Sequence, residues 1–344
     1  MSLLAKLQKN SKIKDSSTLT DSIFFKEKDM ISTAIPVINI ALGGSLDAGL
    51  TPGLTMWAGP SKHFKTAFSL LMAKAYLDKY DDAVLLFYDS EFGTPQSYFD
   101  SFGIDSDRVL HTPITDVEEL KFDIMGQLND IDRKDHVIII IDSIGNLASK
   151  KEVEDALNDK SVADMSRAKQ IKSLFRMVTP KLTLKDIPMV VVNHTYKEMS
   201  LFPKDIVSGG TGAYYSADNI YIIGRQQEKQ GKDVVGYNFI INVEKSRHVR
   251  EKSKIPVNVS TEGGISRWSG LLDIAIEGGF VVKPNQGWYS RVDDSTGEVE
   301  EKRFRIKDTN TADFWSGILA SDKFNQYIKK TYKLATGSIM MDEE

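Results

Sequence analysis

Residues 59–66, GPSKHFKT, set a glycine six positions before a Lys-Thr pair. An apolar run, LTMWA (54–58), precedes them, and a stretch with helical apolar spacing, 66–80, follows. Strand, glycine turn and helix in that order suit a phosphate-binding loop. Backbone N–H groups of such a turn converge on phosphate oxygens, and the helix N-terminus adds partial positive charge. Gly59, Pro60, Ser61, Lys62, His63, Phe64, Lys65 and Thr66 form the loop. Lys65 would reach the β- and γ-phosphates of ATP, and the Thr66 hydroxyl would hold Mg²⁺. Phe64 occupies the place where the usual pattern has glycine. A Phe there is strained if φ is positive and unstrained if φ is helical. A polar β–α turn with an incidental Lys-Thr is the plainer alternative.

Three further polar residues end apolar runs. Asp142 closes HVIIIID and suits a Mg²⁺ ligand, usually through water; a strand-end cap is the bland reading. Glu91 follows AVLLFYDS and suits activation of a water against the γ-phosphate. His194 follows PMVVVN, where a polar side chain could sense that phosphate or that water; a capping His is the alternative. Carboxyl ends of neighbouring parallel strands share one crevice, which is what such a set requires.

The elements that must position these residues follow from periodicity. Apolar runs at 54–58, 83–88, 136–142, 188–193, 219–223 and 237–243 predict strands, with 108–111 as another. Val117, Leu120, Ile124, Leu128 and Ile131 have helical spacing, and a helix is predicted over 162–179, stopping at Pro180. Continuous apolar strands alternating with helices predict an α/β core with a mostly parallel sheet covered on both faces. Beyond residue 265 the pattern becomes a short helix, a hairpin turning within DDSTGE, and a final helix over FNQYIKKTYKLA. Three units are expected: an N-terminal segment (1–35), the ATPase core (36–264) and a small C-terminal α+β domain (265–344).

The bulk numbers exclude several classes. With no cysteine, disulfides, Cys-ligated zinc and cysteine nucleophiles are ruled out. A net charge of -4 argues against a sequence-blind polycation, so any nucleic-acid contact must be local. No run of 18 apolar residues occurs, and the first ten residues lack the features of a secretory signal. A cytoplasmic protein without a membrane association is expected.

Four ordered motifs, GPSKHFKT, FYDSEFG, IIIIDSIGNL and VVNHT followed by GGTG, resemble the recA-type recombinases. The resemblance is strongest to the UvsX recombinases of T4-like bacteriophages, which also carry Phe in the phosphate loop. It covers nearly the whole chain, including VEKSR and the GWY region. It implies a recA-type P-loop NTPase that forms helical filaments on single-stranded DNA. Such filaments pair with homologous double-stranded DNA and exchange strands in recombination, repair and recombination-dependent replication. Glu91 matches the family's catalytic carboxylate and Tyr98 its adenine-stacking tyrosine. His194 stands where bacterial relatives have Gln. Lys245 and Arg247 match two lysines that reach the γ-phosphate of the neighbouring subunit, Arg247 keeping the charge and adding a bidentate fork; no acid is patterned to neutralise both.

The resemblance assigns DNA contact to two segments, 148–161 and 195–212, which read as lacking periodic structure of their own. Candidate contacts are Lys197, Phe202, Gly209, Gly210 and Thr211 in the second. On the helix after the first they are Arg167 and Gln170, on a face shared with Leu174, with Arg167 the best phosphate contact. Arg250, Lys252 and Lys254 are left between DNA and solvent. A loading mediator, a single-strand-binding protein and a helicase are the implied partners, in the cytoplasm of a phage-infected bacterium. A hexameric helicase and a non-hydrolysing mediator remain the rival readings.

Overall fold

The computed structural model describes residues 2–13, 15–24, 29–158, 165–199, 203–230, 233–260 and 264–335. Helix α1 (Leu3–Asn10) and α2 (Pro36–Gly43) precede the first strand. Then come β1 (Gly53–Ala58), α3 (Lys65–Lys79), β2 (Val84–Asp89), α4 (Gln96–Ser101), β3 (Val109–Pro113), α5 (Val117–Asp130) and β4 (Val137–Asp142). Helices α6 (Lys150–Leu157) and α7 (Ser166–Lys185) lead to β5 (Pro188–Asn193), the short β6 (Thr195–Lys197) and β7 (Asp205–Val207), and α8 (Thr211–Ser216). Strands β8 (Asn219–Gln230), β9 (Asp233–Lys245), β10 (Lys254–Ser260) and β11 (Gly264–Ile265) complete the large sheet.

Its order is β11-β10-β9-β8-β1-β5-β4-β2-β3. The pairings from β8 across to β3 are parallel, and those of β9, β10 and β11 are antiparallel. The expected mostly parallel sheet is therefore present. Strands β1, β4 and β5 are buried along their full length because helices cover both faces. Alternate residues divide between two cores: Trp57, Phe87 and Ile140 pack with Phe68 of α3, while Met56, Tyr88 and Ile141 pack with Leu120 of α5 and Leu174 of α7.

Some local expectations change. Helix α7 runs through Pro180 to Lys185. The proline lies on the exposed side, and burial of Val178 and Leu182 on either side of it carries the helix onward. Helix α2 went unpredicted because PVINIALG is buried almost all round and so lacks an amphipathic period.

The C-terminal part contains α9 (Leu271–Glu277), β12 (Val281–Asn285), β13 (Trp288–Arg291), β14 (Phe304–Arg305), α10 (Ala312–Ala320) and α11 (Asp322–Tyr332). The hairpin is there, its turn closed by Asp293 N–H donating to the Glu298 carbonyl at 2.8 Å, with β12 added as a third strand. Phe314, Trp315 and Phe324 join the same apolar cluster as α3. The 264/265 point falls inside β11, which pairs with β10.

Candidate nucleotide site

The loop between β1 and α3 is shaped by two close constraints. A Cβ on Gly59 would sit 3.1 Å from the Ile223 carbonyl oxygen of β8, so the backbone approaches the neighbouring strand closely. Lys62 and Phe64 both take left-handed φ, 60° and 58°. The question raised by Phe64 thus resolves toward the strained conformation, which costs a non-glycine residue roughly 1–2 kcal/mol. Its ring packs against Phe239 at 5.1 Å and Phe68 at 6.5 Å between centroids. Each aromatic pair contributes about 0.5–1.5 kcal/mol, enough to offset the strain.

Below the loop lies a cavity of about 510 Å³ lined by its residues and by Glu91, Tyr98, Asp142 and His194. Lys65 opens α3 and is buried, with Nζ donating to the Pro60 carbonyl at 2.8 Å. Burial lowers its pKa, while the carboxylates of Glu91 and Asp142 pull the other way. An arriving phosphate offers this ammonium a charged acceptor in place of a neutral one.

Thr66 Oγ1 donates to Asp142 Oδ2 at 2.6 Å. Asp142 Oδ1 is buried without a hydrogen-bond partner among the described residues. Burial pushes this carboxyl up to about 6, with the Thr66 hydrogen bond opposing and the charges of Glu91 and Asp89 adding to the rise. A hydroxyl beside a carboxylate with an open lone pair is a hard, oxygen-only donor set, and it fits Mg²⁺.

Glu91 Oε1 accepts from Ser143 Oγ at 2.6 Å and lies 3.1 Å from His194 Nε2. Its pKa falls to about 2, chiefly through the His194 hydrogen bond, then through Ser143 and the charges of His194 and Lys65, against the opposing effect of burial. Its backbone is fixed too: buried Asp89 accepts from the N–H groups of Glu91 at 3.0 Å and Phe92 at 2.8 Å.

Ser143, Asp89, Arg225 and Tyr237 were missed from sequence. Arg225 on β8 donates from Nη1 to the Lys62 carbonyl at 2.9 Å and lies 5.0 Å over the Tyr237 ring, both lining the cavity. Extending the apolar run NIYII one strand-period further was the available signal; nothing local ties it to a loop 163 residues earlier.

Lys245 and Arg247 are elsewhere, and neither lines this cavity. Lys245 Nζ donates to the carbonyls of Tyr214 at 3.0 Å and Tyr215 at 3.4 Å, at the end of α8. Arg247 Nε bonds Asp218 Oδ1. The other Asp218 oxygen accepts from Leu54 N–H at 2.9 Å, at the start of β1, whereas the phosphate loop follows the end of β1. An acid not anticipated from the sequence, Asp218, bonds Arg247, while Lys245 rests on backbone carbonyls.

The DNA segments also need correction. Residues 150–157 form α6, started by a capping box between Ser149 and Glu152. Within 195–212, β6 and β7 pair as a hairpin, and Lys197 bonds Asp205 across it at 2.9 Å. Phe202 lies outside the described residues. Gly209 and Gly210 take φ of 93° and 74°, which a glycine tolerates, and Gly210 leads into Thr211 at the head of α8. Leu174 is fully buried, so it shares no solvent face with Arg167. Gln170 accepts from Lys121 Nζ at 2.6 Å. Arg167 is not an open cation: its guanidinium is committed to backbone carbonyls of Ile144, Gly145 and Leu147.

A buried lysine followed by a half-buried threonine at the head of α3, beside a strand-end aspartate in a parallel sheet, defines a phosphate-loop NTPase with a RecA-type core, a class that binds nucleotides. The RecA N-terminal domain family matches residues 8–266. The C-terminal domain of the bacteriophage T4 recombination and repair protein matches residues 268–328. The chain belongs to the UvsX/RecA recombinase family. It is 52% identical to the recombination and repair protein of Enterobacteria phage T4 over 336 residues, covering 96% of this chain and 86% of that one. It is 26% identical to Protein RecA of Tropheryma whipplei, over 81% of this chain and 64% of the relative. Protein RecA of Streptomyces venezuelae is also 26% identical, over 79% and 70%.

Proposed function

We propose that the protein is an ATP-dependent homologous recombinase. It forms a helical filament on single-stranded DNA, pairs it with homologous duplex and exchanges strands, hydrolysing ATP as a DNA-dependent ATPase. The observation that carries this reading is the division of cations: Lys65 stands inside the nucleotide cavity, while Lys245 and Arg247 stand toward the opposite end of the sheet. Subunits stacked end to end bring one subunit's pair to the next subunit's cavity.

In such an interface Lys65 neutralises the β/γ-phosphates in cis, and Lys245 with Arg247 neutralises the γ-phosphate in trans. Thr66 and Asp142 would hold Mg²⁺, which would supply further charge neutralisation. Tyr98 stacks the adenine. Glu91 is ionised at neutral pH and orients the attacking water, and it becomes a stronger base once His194 releases it. His194 reports the state of the γ-phosphate to the 195–212 segment, since the His194 carbonyl accepts from Ser208 N–H at 2.9 Å.

Lys197, Phe202, Gly209, Gly210 and Thr211 are the proposed DNA-facing residues, together with Gln170 on α7. Residues 1–35 dock on the neighbouring subunit; in support, α1 buries none of its residues, and Leu3, Leu4 and Leu7 are exposed. The core 36–264 carries ATP and DNA, and 265–344 forms the C-terminal unit. A loading mediator, a single-strand-binding protein and a helicase are the proposed partners, in the cytoplasm of an infected bacterium.

The test is strand exchange between a single strand and a homologous duplex, with ATP and with a non-hydrolysable analogue. Exchange that requires homology and nucleotide is expected. Duplex unwinding that ignores homology contradicts the reading in favour of a translocating helicase.

A further inference from the structure

Arg167 stands on the first turn of α7 and is half-buried. Its Nε donates to the Leu147 carbonyl at 2.6 Å, and its Nη2 donates to the carbonyls of Gly145 at 2.8 Å and Ile144 at 3.1 Å. These three acceptors belong to the segment that leaves β4 directly after Asp142 and Ser143.

The opposite side of that segment faces the nucleotide site. Ser90 Oγ donates to the Ser143 carbonyl at 2.7 Å and accepts from Ser143 N–H at 3.0 Å. Ile144 N–H donates to the Val192 carbonyl at 3.0 Å. The Ser143 hydroxyl holds Glu91 at 2.6 Å. Gly145 lies against His194 so closely that a Cβ would fall 2.3 Å from ring atom Cδ2. Next to Arg167, Ser166 Oγ contacts Ser149 Oγ at 2.6 Å, and Ser149 caps α6. One planar guanidinium therefore spans the back of the strip whose front orients Glu91 and His194, and its neighbour joins the start of α6. An ammonium, a point charge without that fork, cannot hold three carbonyls in the same geometry.

We propose that Arg167 is a positioning residue rather than a phosphate contact: it locks residues 143–147 to α7, so that the start of α6, the first turn of α7 and the Glu91–Ser143–His194 cluster move as one piece. The proposal rests on the recombinase reading and names how its DNA-facing side is joined to its hydrolytic side.

The experiment uses the full chain, oligothymidylate as the DNA, and three variants: Arg167→Ala, Arg167→Lys and Gly145→Ala. ATPase kcat and KM are measured with and without DNA, and DNA affinity is measured across a range of salt. Loss of an ångström of alignment at a reacting centre costs up to about 100-fold. Arg167→Ala is accordingly expected to lower the DNA-stimulated kcat roughly 10- to 100-fold, with KM for ATP within about twofold. The slope of log affinity against log salt stays that of the wild type. Arg167→Lys does not restore the rate, and Gly145→Ala, which disturbs the same strip from the His194 side, gives the same kinetic signature with the same salt slope. If melting curves indicate that Arg167→Ala does not fold, the other two variants carry the test.

A salt slope reduced by roughly 0.7, the value for one lost contact to a single strand, overturns the proposal. So does recovery of the rate in Arg167→Lys, or an unchanged DNA-stimulated kcat in Arg167→Ala. A wild type that DNA does not stimulate removes the recombinase reading itself, and the proposal with it; a stimulated wild type with any of the preceding results removes the proposal alone.

Discussion

The two ends of the central sheet hold their charges in different ways. At the phosphate-loop end, Lys65 and Asp142 are buried, Asp142 Oδ1 has no partner among the described residues, and Lys62 and Phe64 are held at positive φ. At the other end, Lys245 rests on two carbonyls of α8 and Arg247, largely exposed, is paired with Asp218. The first end keeps unmet capacity for an anion and a cation. The second has its cations occupied by protein groups. Preformed strain and desolvation mark the first end, and contacts with carbonyls and one carboxylate mark the second; in the function proposed above, the first binds nucleotide and the second engages the neighbouring subunit.

The largest expected effect that could break this contrast comes from Lys65→Ala. It removes the ammonium from the cavity, so nucleotide binding and hydrolysis should collapse while the melting curve stays cooperative. An unchanged DNA-stimulated ATPase rate would remove the cavity from consideration. Next is Glu91→Gln, which keeps shape and loses the base, a change of about 10²–10⁴ in rate. Nucleotide should still bind, and filaments on single strands should last longer by electron microscopy. Normal turnover with rapid filament loss would assign the base elsewhere.

Asp142→Asn sharpens the contrast through stability. The folded carboxyl is raised from 3.8 to about 6, so the native state holds its proton more tightly than the unfolded chain. The resulting penalty is absent below pH 3.8, grows as pH rises through 6, and is fully present at neutral pH, on the order of 3 kcal/mol without metal. The Asn variant should therefore melt a few degrees higher than wild type in metal-free buffer at pH 7 while hydrolysing poorly. A lower melting temperature would mean that the carboxylate is stabilising where it stands. The smallest effect is expected from Phe64→Gly. Relief of roughly 1–2 kcal/mol of left-handed strain is set against two lost aromatic pairs of about 0.5–1.5 kcal/mol each. Denaturant midpoints within about 1 kcal/mol of wild type should result, and a loss of several kcal/mol would show that the ring does more than offset strain.

Much of the phosphate-loop end was legible because its signals are local. Strand, glycine turn and Lys-Thr lie within a dozen residues, and Glu91, Asp142 and His194 each end an apolar run whose parallel pairing could be anticipated. Ser143 and Asp89 were adjacent to those residues, yet hydroxyls and acids at strand ends have no pattern that separates a clamp from a cap. Arg225 and Tyr237 were hidden by distance along the chain. The two segments assigned to DNA contact from the sequence misled in the other direction. Short elements such as α6, β6 and β7 are fixed by a cap and a cross-strand ion pair rather than by apolar periodicity, so they read as loop. Arg167 looked like a surface cation because the carbonyls it serves become acceptors only after the chain leaves β4 and passes under α7.

The central claim, one active site shared between two subunits, is tested most directly by mixing. Lys65→Ala retains Lys245 and Arg247, and the double variant Lys245→Ala, Arg247→Ala retains Lys65. Each is expected to lack DNA-stimulated hydrolysis alone, the double variant still binding nucleotide. Combined in equal amounts on one DNA, some interfaces join an intact loop to an intact pair of cations, and ATPase activity should partly return. A mixture as inactive as its components, with co-assembly on the DNA demonstrated separately, contradicts the account.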